Sequence, residues 1–243
     1  MIRGKPRGLA ARFWSWYARR ALRTTFRGVW LRGPRPSPAQ AALFYANHRS
    51  YWDAFSAQVV ITQHLGFEGY GAMAAENLAR YPFLRHLGAF SLVRGDGRST
   101  LESFRYAKRL LERPGVGVLL FPEGELRPNA PAPLTLARGV ETLARLGGVP
   151  CVPIAFRYAF FEAERPDLLV ELGAPHAPGA LDVFSQALSG LVARLDAVSS
   201  PLDPAEGFEQ IIGGSSSLSE RWRAYKERRA SVAALVLESN SRG

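Results

Sequence analysis

A single cysteine, Cys151, excludes an intramolecular disulfide. It lies in the apolar run Val149-Pro150-Cys151-Val152-Pro153 and reads as a small buried hydrophobe, not a nucleophile. No stretch of about 18 or more apolar residues exists, so no transmembrane helix is expected. The longest apolar run, Val116 to Phe121 with Gly117 inside it, has the length of a strand. No His-Glu-x-x-His or similar ligand spacing occurs, and no metal is expected. No Gly-x-Ser-x-Gly elbow occurs, which argues against a serine hydrolase. There is no internal repeat. Acidic residues are missing from the whole N-terminal part, the first being Asp53.

What is present begins with charge. The chain carries 31 basic and 21 acidic residues, a net charge of +10. Arg3, Lys5, Arg7, Arg12, Arg19, Arg20, Arg23, Arg27, Arg32 and Arg35 account for all of that excess; the remaining 208 residues are formally neutral. Residues 8–31 contain no proline and read as one helix. At about 100° per residue, Arg12, Arg19, Arg20, Arg23 and Arg27 fall on one arc, with Phe13, Trp14, Tyr17, Ala18, Ala21, Leu22, Thr25 and Val29 opposite. Trp16, Phe26 and Trp30 lie near or within the basic arc. This is the profile of a helix lying in a membrane interface; the alternative is a helix packed on the body with a solvated basic face. Arginines interrupt every candidate signal-peptide core, and no cleavage site follows one. No nucleic-acid motif accompanies the basic arm, and no nucleic-acid partner is expected.

Gly33-Pro34-Arg35-Pro36-Ser37-Pro38 reads as a linker. Strands are expected at 43–46, 68–73, 89–93, 116–120, 151–158 and 168–172. Helices are expected at 53–64, 99–111, 134–146 and 181–198, with short turns over 74–84. Ser99 followed by Glu102 suggests a capping box. Residues 199–217 read as irregular, ending in the flexible Gly213-Gly214-Ser215-Ser216-Ser217, and 218–237 as a final helix. Strands alternating with helices predict an α/β fold, a mixed and partly parallel central sheet flanked by helices, with an N-terminal amphipathic helical arm. The expected organisation is a basic membrane-associating arm and linker over 1–35, a catalytic domain over 36–200, and a hinge with a C-terminal helix over 201–243.

The chemistry concentrates in Asn47-His48-Arg49-Ser50-Tyr51-Trp52-Asp53, which follows the apolar run Ala42 to Ala46. A histidine on a strand-to-helix turn, with an aspartate five residues on, can fold into an oriented general base. The same spacing also suits an ordinary turn histidine with Asp53 as helix N-cap. Asn47 can help hold the turn.

Three further blocks follow in order: Gly88-Ala89-Phe90-Ser91-Leu92-Val93-Arg94, Phe121-Pro122-Glu123-Gly124, and Val149-Pro150-Cys151-Val152-Pro153-Ile154-Ala155. With Asn47-His48-x-x-x-x-Asp53, they resemble the four signature blocks of the glycerolipid acyltransferases, over about residues 43 to 157. The resemblance implies acyl transfer from a thioester to a lipid hydroxyl, with His48 and Asp53 catalytic. It implies that Asn47, Gly88, Arg94, Glu123, Gly124, Arg127 and Arg138 bind substrate. Arg94 could grip a phosphate bidentately; read alone, it could equally form a surface salt bridge to Asp96. Arg127 and Arg138 are further candidates for an anionic headgroup. The family usually continues the third block with Thr-Arg or Ser-Arg. Here Glu125-Leu126-Arg127 follows, which displaces the arginine by one place.

The expected protein is therefore a peripheral enzyme at the cytoplasmic face of a membrane, bound to anionic lipid. It acylates a lysophospholipid such as lysophosphatidic acid from coenzyme A or acyl carrier protein, and needs no cofactor besides that co-substrate. The alternatives are the same chemistry on another lipid alcohol (a glycolipid or aminolipid) and a non-catalytic lipid-binding protein. Acyl-chain length, thioester carrier and oligomeric state leave no mark in the sequence.

Overall fold

The computed structural model describes residues 1–93, 97–128, 132–161, 163–214, and 222, 225 and 226. The expected C-terminal helix lies, but for those last three residues, outside the described part. The centre is an eight-stranded mixed sheet of order β4-β3-β5-β2-β6-β7-β1-β8. The strands are β1 (Gly28–Arg32), β2 (Ala42–Ala46), β3 (Glu68–Ala74), β4 (Ala89–Leu92), β5 (Val116–Leu120), β6 (Cys151–Ala159), β7 (Asp167–Leu172) and β8 (Glu209–Gly213). The first five in spatial order run parallel; β7 pairs antiparallel with β6, β1 parallel with β7, and β8 antiparallel with β1.

Strand alternation sends Ala42, Phe44 and Ala46 to one face of the sheet and Leu43 and Tyr45 to the other. Helices α1 (Leu9–Thr25) and α2 (Asp53–Val59) cover the first face, with a π turn at Val60–His64, the short α3 (Ala75–Arg80) and a 3-10 turn at Pro82–Leu87 alongside. Helices α4 (Gly97–Leu111), α5 (Gly139–Gly147) and α6 (Leu181–Asp196) cover the second. Both faces are thus dry, which is why the central strands read as unbroken apolar runs.

Four local expectations need correction. The helix expected over 8–31 ends at Thr25, and Gly28–Arg32 is a strand between β7 and β8. The expected arm therefore supplies part of the sheet. Trp30 is buried and donates from Nε1 to Asp167 at 2.8 Å, Arg27 pairs with the same carboxylate, and Phe26 is buried. None of the three faces outward. Glu209–Gly213, expected to be irregular, is the edge strand β8. The helix expected over 134–146 starts only at Gly139, because the Ala137 N–H is taken by the Pro122 carbonyl and holds residues 134–138 out of the helix. Helix α4 starts at Gly97, two residues before Ser99, so Ser99 lies within the helix and its carbonyl accepts the Ser103 hydroxyl.

Candidate active site

Strands β2 and β5 are parallel neighbours, and both motif turns leave their carboxyl ends, the edge where open α/β sheets hold ligands. His48 follows β2 and Phe121-Pro122-Glu123-Gly124 follows β5. The two turns are stitched together: the His48 N–H donates to Glu123 Oε1 at 2.7 Å, and the Arg127 N–H donates to the His48 carbonyl at 2.7 Å. Gly124 makes the second turn possible by taking φ 82°, a region that penalises any side chain.

His48 Nδ1 lies 2.8 Å from Asp53 Oδ2. Asp53 is the first residue of α2 and fully buried. Its carboxylate does not cap the helix. It turns back, taking the Ser50 N–H on Oδ2 at 2.8 Å and the Tyr158 hydroxyl on Oδ1 at 2.6 Å. Burial, then the charge and hydrogen bond of Asp53, hold the Tyr158 phenol well above its ordinary range, so it remains a donor. The imidazole stacks on Phe121 with centroids 4.3 Å apart, and its side chain is 24% exposed. Nε2 has no hydrogen-bond partner among the described residues.

An apolar cavity of about 230 Å³ lies behind Phe121, between the sheet and helices α4 and α5. Phe90, Ala107, Leu120, Val140 and Leu143 form its wall, and Glu123 and Gly124 belong to its lining. Burial pushes the Glu123 carboxyl up from its ordinary range, against the opposing pull of the His48 N–H and of the Arg127 and Arg49 charges. The Cys151 thiol is buried and pushed up to about 12 by desolvation, which leaves it inert.

The other expected site residues separate. Asn47 does not face the cleft: it is fully buried, its Nδ2 donates to the Phe156 carbonyl at 2.9 Å, and its Oδ1 accepts the Phe156 N–H at 2.8 Å. It replaces the next rung of the β2–β6 ladder and so sets where the turn begins. Gly88 is also structural, with φ 90° and a would-be Cβ 2.1 Å from the Gly69 carbonyl oxygen. Arg94 lies outside the described residues. The Arg127 guanidinium sits on Glu125 at 2.7 Å, so the backbone of this residue, not its charge, reaches His48. Arg138 is exposed at the start of α5, next to Gly139, which lines the cavity.

Two contributors were not legible in the sequence. Tyr158 is 105 residues from Asp53, and Arg49, inside the first block, reaches Asp196 at the end of α6 with bonds of 2.7 and 2.9 Å. The consecutive β6 residues Phe156, Arg157 and Tyr158 brace this region: Phe156 holds Asn47, Tyr158 holds Asp53, and Arg157 donates to the carbonyls of Leu195 and Val198 around Asp196. Only the strand itself was signalled by the run after Val149. His176, from the loop after β7, is bonded to the Tyr45 hydroxyl at 2.7 Å.

A carboxylate-oriented imidazole beside an apolar cavity, on the carboxyl edge of a mixed α/β sheet, is an arrangement that suits group transfer. The particular family follows from comparison with known proteins. The model described as Acyltransferase matches residues 29–157, more than half of the chain, and the chain belongs to that family. The match opens inside β1, in keeping with that strand's place in the sheet. The fold is similar to the crystal structure of the 1-acyl-sn-glycerophosphate (LPA) acyltransferase, PlsC, from Thermotoga maritima. The TM-score is 0.50 and the identity 20%, over 75% of this chain and 77% of that one. No curated protein matches the sequence. The protein is thus an acyltransferase of a non-aminoacyl kind. Among the described residues no helix is long and apolar enough to cross a membrane.

Proposed function

We propose that the protein transfers a fatty acyl group from an acyl thioester, of coenzyme A or acyl carrier protein, to the hydroxyl of a lysophospholipid such as lysophosphatidic acid. The observation that carries this reading is the 2.8 Å contact between His48 Nδ1 and the buried Asp53, with Nε2 left unpaired among the described residues. Nε2 takes the proton of the acceptor hydroxyl as its oxygen attacks the thioester carbonyl, and Asp53 stabilises the imidazolium that forms. Collapse of the tetrahedral intermediate breaks the carbon–sulfur bond, and the imidazolium returns its proton to the departing thiolate. The apolar cavity behind Phe121 suits a hydrocarbon chain, and its lining residue Glu123 accepts the His48 N–H, so chain and base lie on one side of the turn. The activity for which the Thermotoga protein is named and the four motif blocks support a lysophosphatidic acceptor. In this reading Arg94 holds the phosphate, and Arg138 is a second cation for the headgroup.

The pairing of Arg127 with Glu125 favours a second reading, in which the acceptor is an uncharged lipid alcohol such as a glycolipid. A membrane partner is supported by α1 and its neighbours. The helix buries Ala11, Ala18 and Leu22, and leaves Phe13, Trp16 and Tyr17 at 53%, 57% and 44% exposure among its arginines. Tyr51, in the His48 turn, is 61% exposed and lines one groove with Phe13, Tyr17 and Phe83. Aromatic rings beside arginines match an anionic bilayer surface. The test is thiol release from an acyl thioester against a lipid panel. Release with lysophosphatidic acid supports the first reading, release with uncharged acceptors alone supports the second, and none with any acceptor refutes both.

A further inference from the structure

The carboxylate of Asp53 is shared between two directions. Oδ2 accepts His48 Nδ1 and the Ser50 N–H, each at 2.8 Å; Oδ1 accepts the Tyr158 hydroxyl at 2.6 Å. Both oxygens of the buried group are thereby engaged, Oδ2 by two donors and Oδ1 by the Tyr158 hydroxyl, with no exposure to water. The Tyr158 ring cannot wander, because it is packed against Phe26 with centroids 5.6 Å apart and stands on β6, whose preceding residue but one, Phe156, is tied to Asn47. Its phenol is held protonated, so it can only serve as a donor toward this carboxylate.

We infer that Tyr158 is a positioning residue for the His48–Asp53 pair: its hydroxyl fixes the rotation of the Asp53 carboxylate and draws charge toward Oδ1, setting how strongly Asp53 holds a proton on His48. The physical reason is competition. A carboxylate offers a limited negative charge to its donors, and each donor on one oxygen weakens the pull of the other. Without the phenol, charge concentrates on Oδ2 and favours the imidazolium. The other charged groups near the pair are Glu123, which accepts the His48 N–H, Arg127 from the same turn, and Arg49, which is bonded to Asp196 of α6. Neither Glu123 nor Arg127 is bonded to Oδ1 among the described residues. The inference rests on the acyl-transfer reading only for what the base does, not for how Tyr158 acts on it.

The experiment follows the protonation of His48 in the full-length protein by NMR of isotope-labelled histidine, its signal identified by its loss in His48→Ala. Tyr158→Phe keeps the ring and removes only the hydroxyl. The expected result is an upward move of the His48 midpoint by roughly 0.5–1 pH unit, with the acid limb of kcat/KM moving the same way. In an Asp53→Asn background Tyr158→Phe should no longer move the midpoint. Phe26→Leu, which loosens the packing of Tyr158 but leaves its hydroxyl, should move it less than Tyr158→Phe does. A midpoint that stays or falls in Tyr158→Phe overturns the inference, as does an equal shift without Asp53 or an equal shift in Phe26→Leu. A midpoint that rises in a protein that releases no thiol would refute the acyl-transfer reading and leave the role of Tyr158 standing.

Discussion

Replacing Asn47 by alanine separates a structural role from a substrate-binding one. Both amide atoms of Asn47 are bonded to the backbone of Phe156, a fully buried residue, at 2.9 and 2.8 Å. Asn47→Ala leaves one N–H and one C=O without partners in a dry interior. Each orphaned group costs about 1–3 kcal/mol, so the pair costs roughly 2–6 kcal/mol, before any loss from the space left by the amide. In a chain of this size about 1 kcal/mol corresponds to roughly 2–4 °C, which places the fall in Tm at about 10 °C. Asn47→Asp should do no better, because one carboxylate oxygen would then face the Phe156 carbonyl and a charge would be buried. The turn carrying His48 begins at this residue, so kcat should fall while KM for either substrate stays within about twofold. Calorimetric unfolding and steady-state kinetics on one preparation report both. An Asn47→Ala protein with unchanged Tm and a KM raised for the lipid acceptor would refute the structural assignment.

Other outcomes follow from the same geometry. Replacing Phe13, Trp16 and Tyr17 together by serine should lower binding to anionic vesicles at low salt by about tenfold or more without lowering Tm, since these rings are half exposed and outside the core; equal binding in a sedimentation assay would remove the docking face. Val140→Phe should fill part of the cavity and shift selectivity toward shorter acyl thioesters, by about fourfold per excluded methylene from ~0.8 kcal/mol each, and an unaltered chain-length profile would place the acyl chain elsewhere. Glu123 is raised by burial, so the folded state holds its proton more tightly than the unfolded chain does, and stability from this group falls as pH rises through the carboxyl's range. Glu123→Gln should therefore raise Tm modestly at neutral pH, with the advantage vanishing as pH falls below that range; an advantage that instead grows in acid would contradict the sign.

The parts legible in the sequence were those encoded within one short segment. His48 and Asp53 share a turn, and the apolar runs of β2 and β5 are continuous because both faces of the sheet are covered. What failed depended on distant partners. The type of Asn47 fits both a ligand contact and a backbone tie, and only Phe156, 109 residues away, decides between them. The helix over 8–31 was overextended because Gly28–Arg32 continues an apolar and basic pattern. The β-branched Thr24 and Thr25 followed by Gly28 were the available signal, and pairing with β7 and β8 settles the strand. β8 is short and at the edge, with only Ile211 and Ile212 buried, too little for a period-2 pattern to stand out. Gly88 was read as a ligand contact because its block carries Arg94, whereas a left-handed turn beneath the Gly69 backbone accounts for it.

The most direct test of the account is thiol release by His48→Ala. The imidazole is stacked on one ring and partly exposed, and Asp53 keeps the Ser50 N–H and the Tyr158 hydroxyl, so its removal should lower Tm while leaving the protein folded. With an acyl thioester and a lysophospholipid acceptor, turnover should fall by about 10²–10⁴-fold, the usual loss of a positioned base. Turnover close to that of the unaltered protein would show that the proton of the acceptor hydroxyl goes elsewhere, and the proposed mechanism would be wrong.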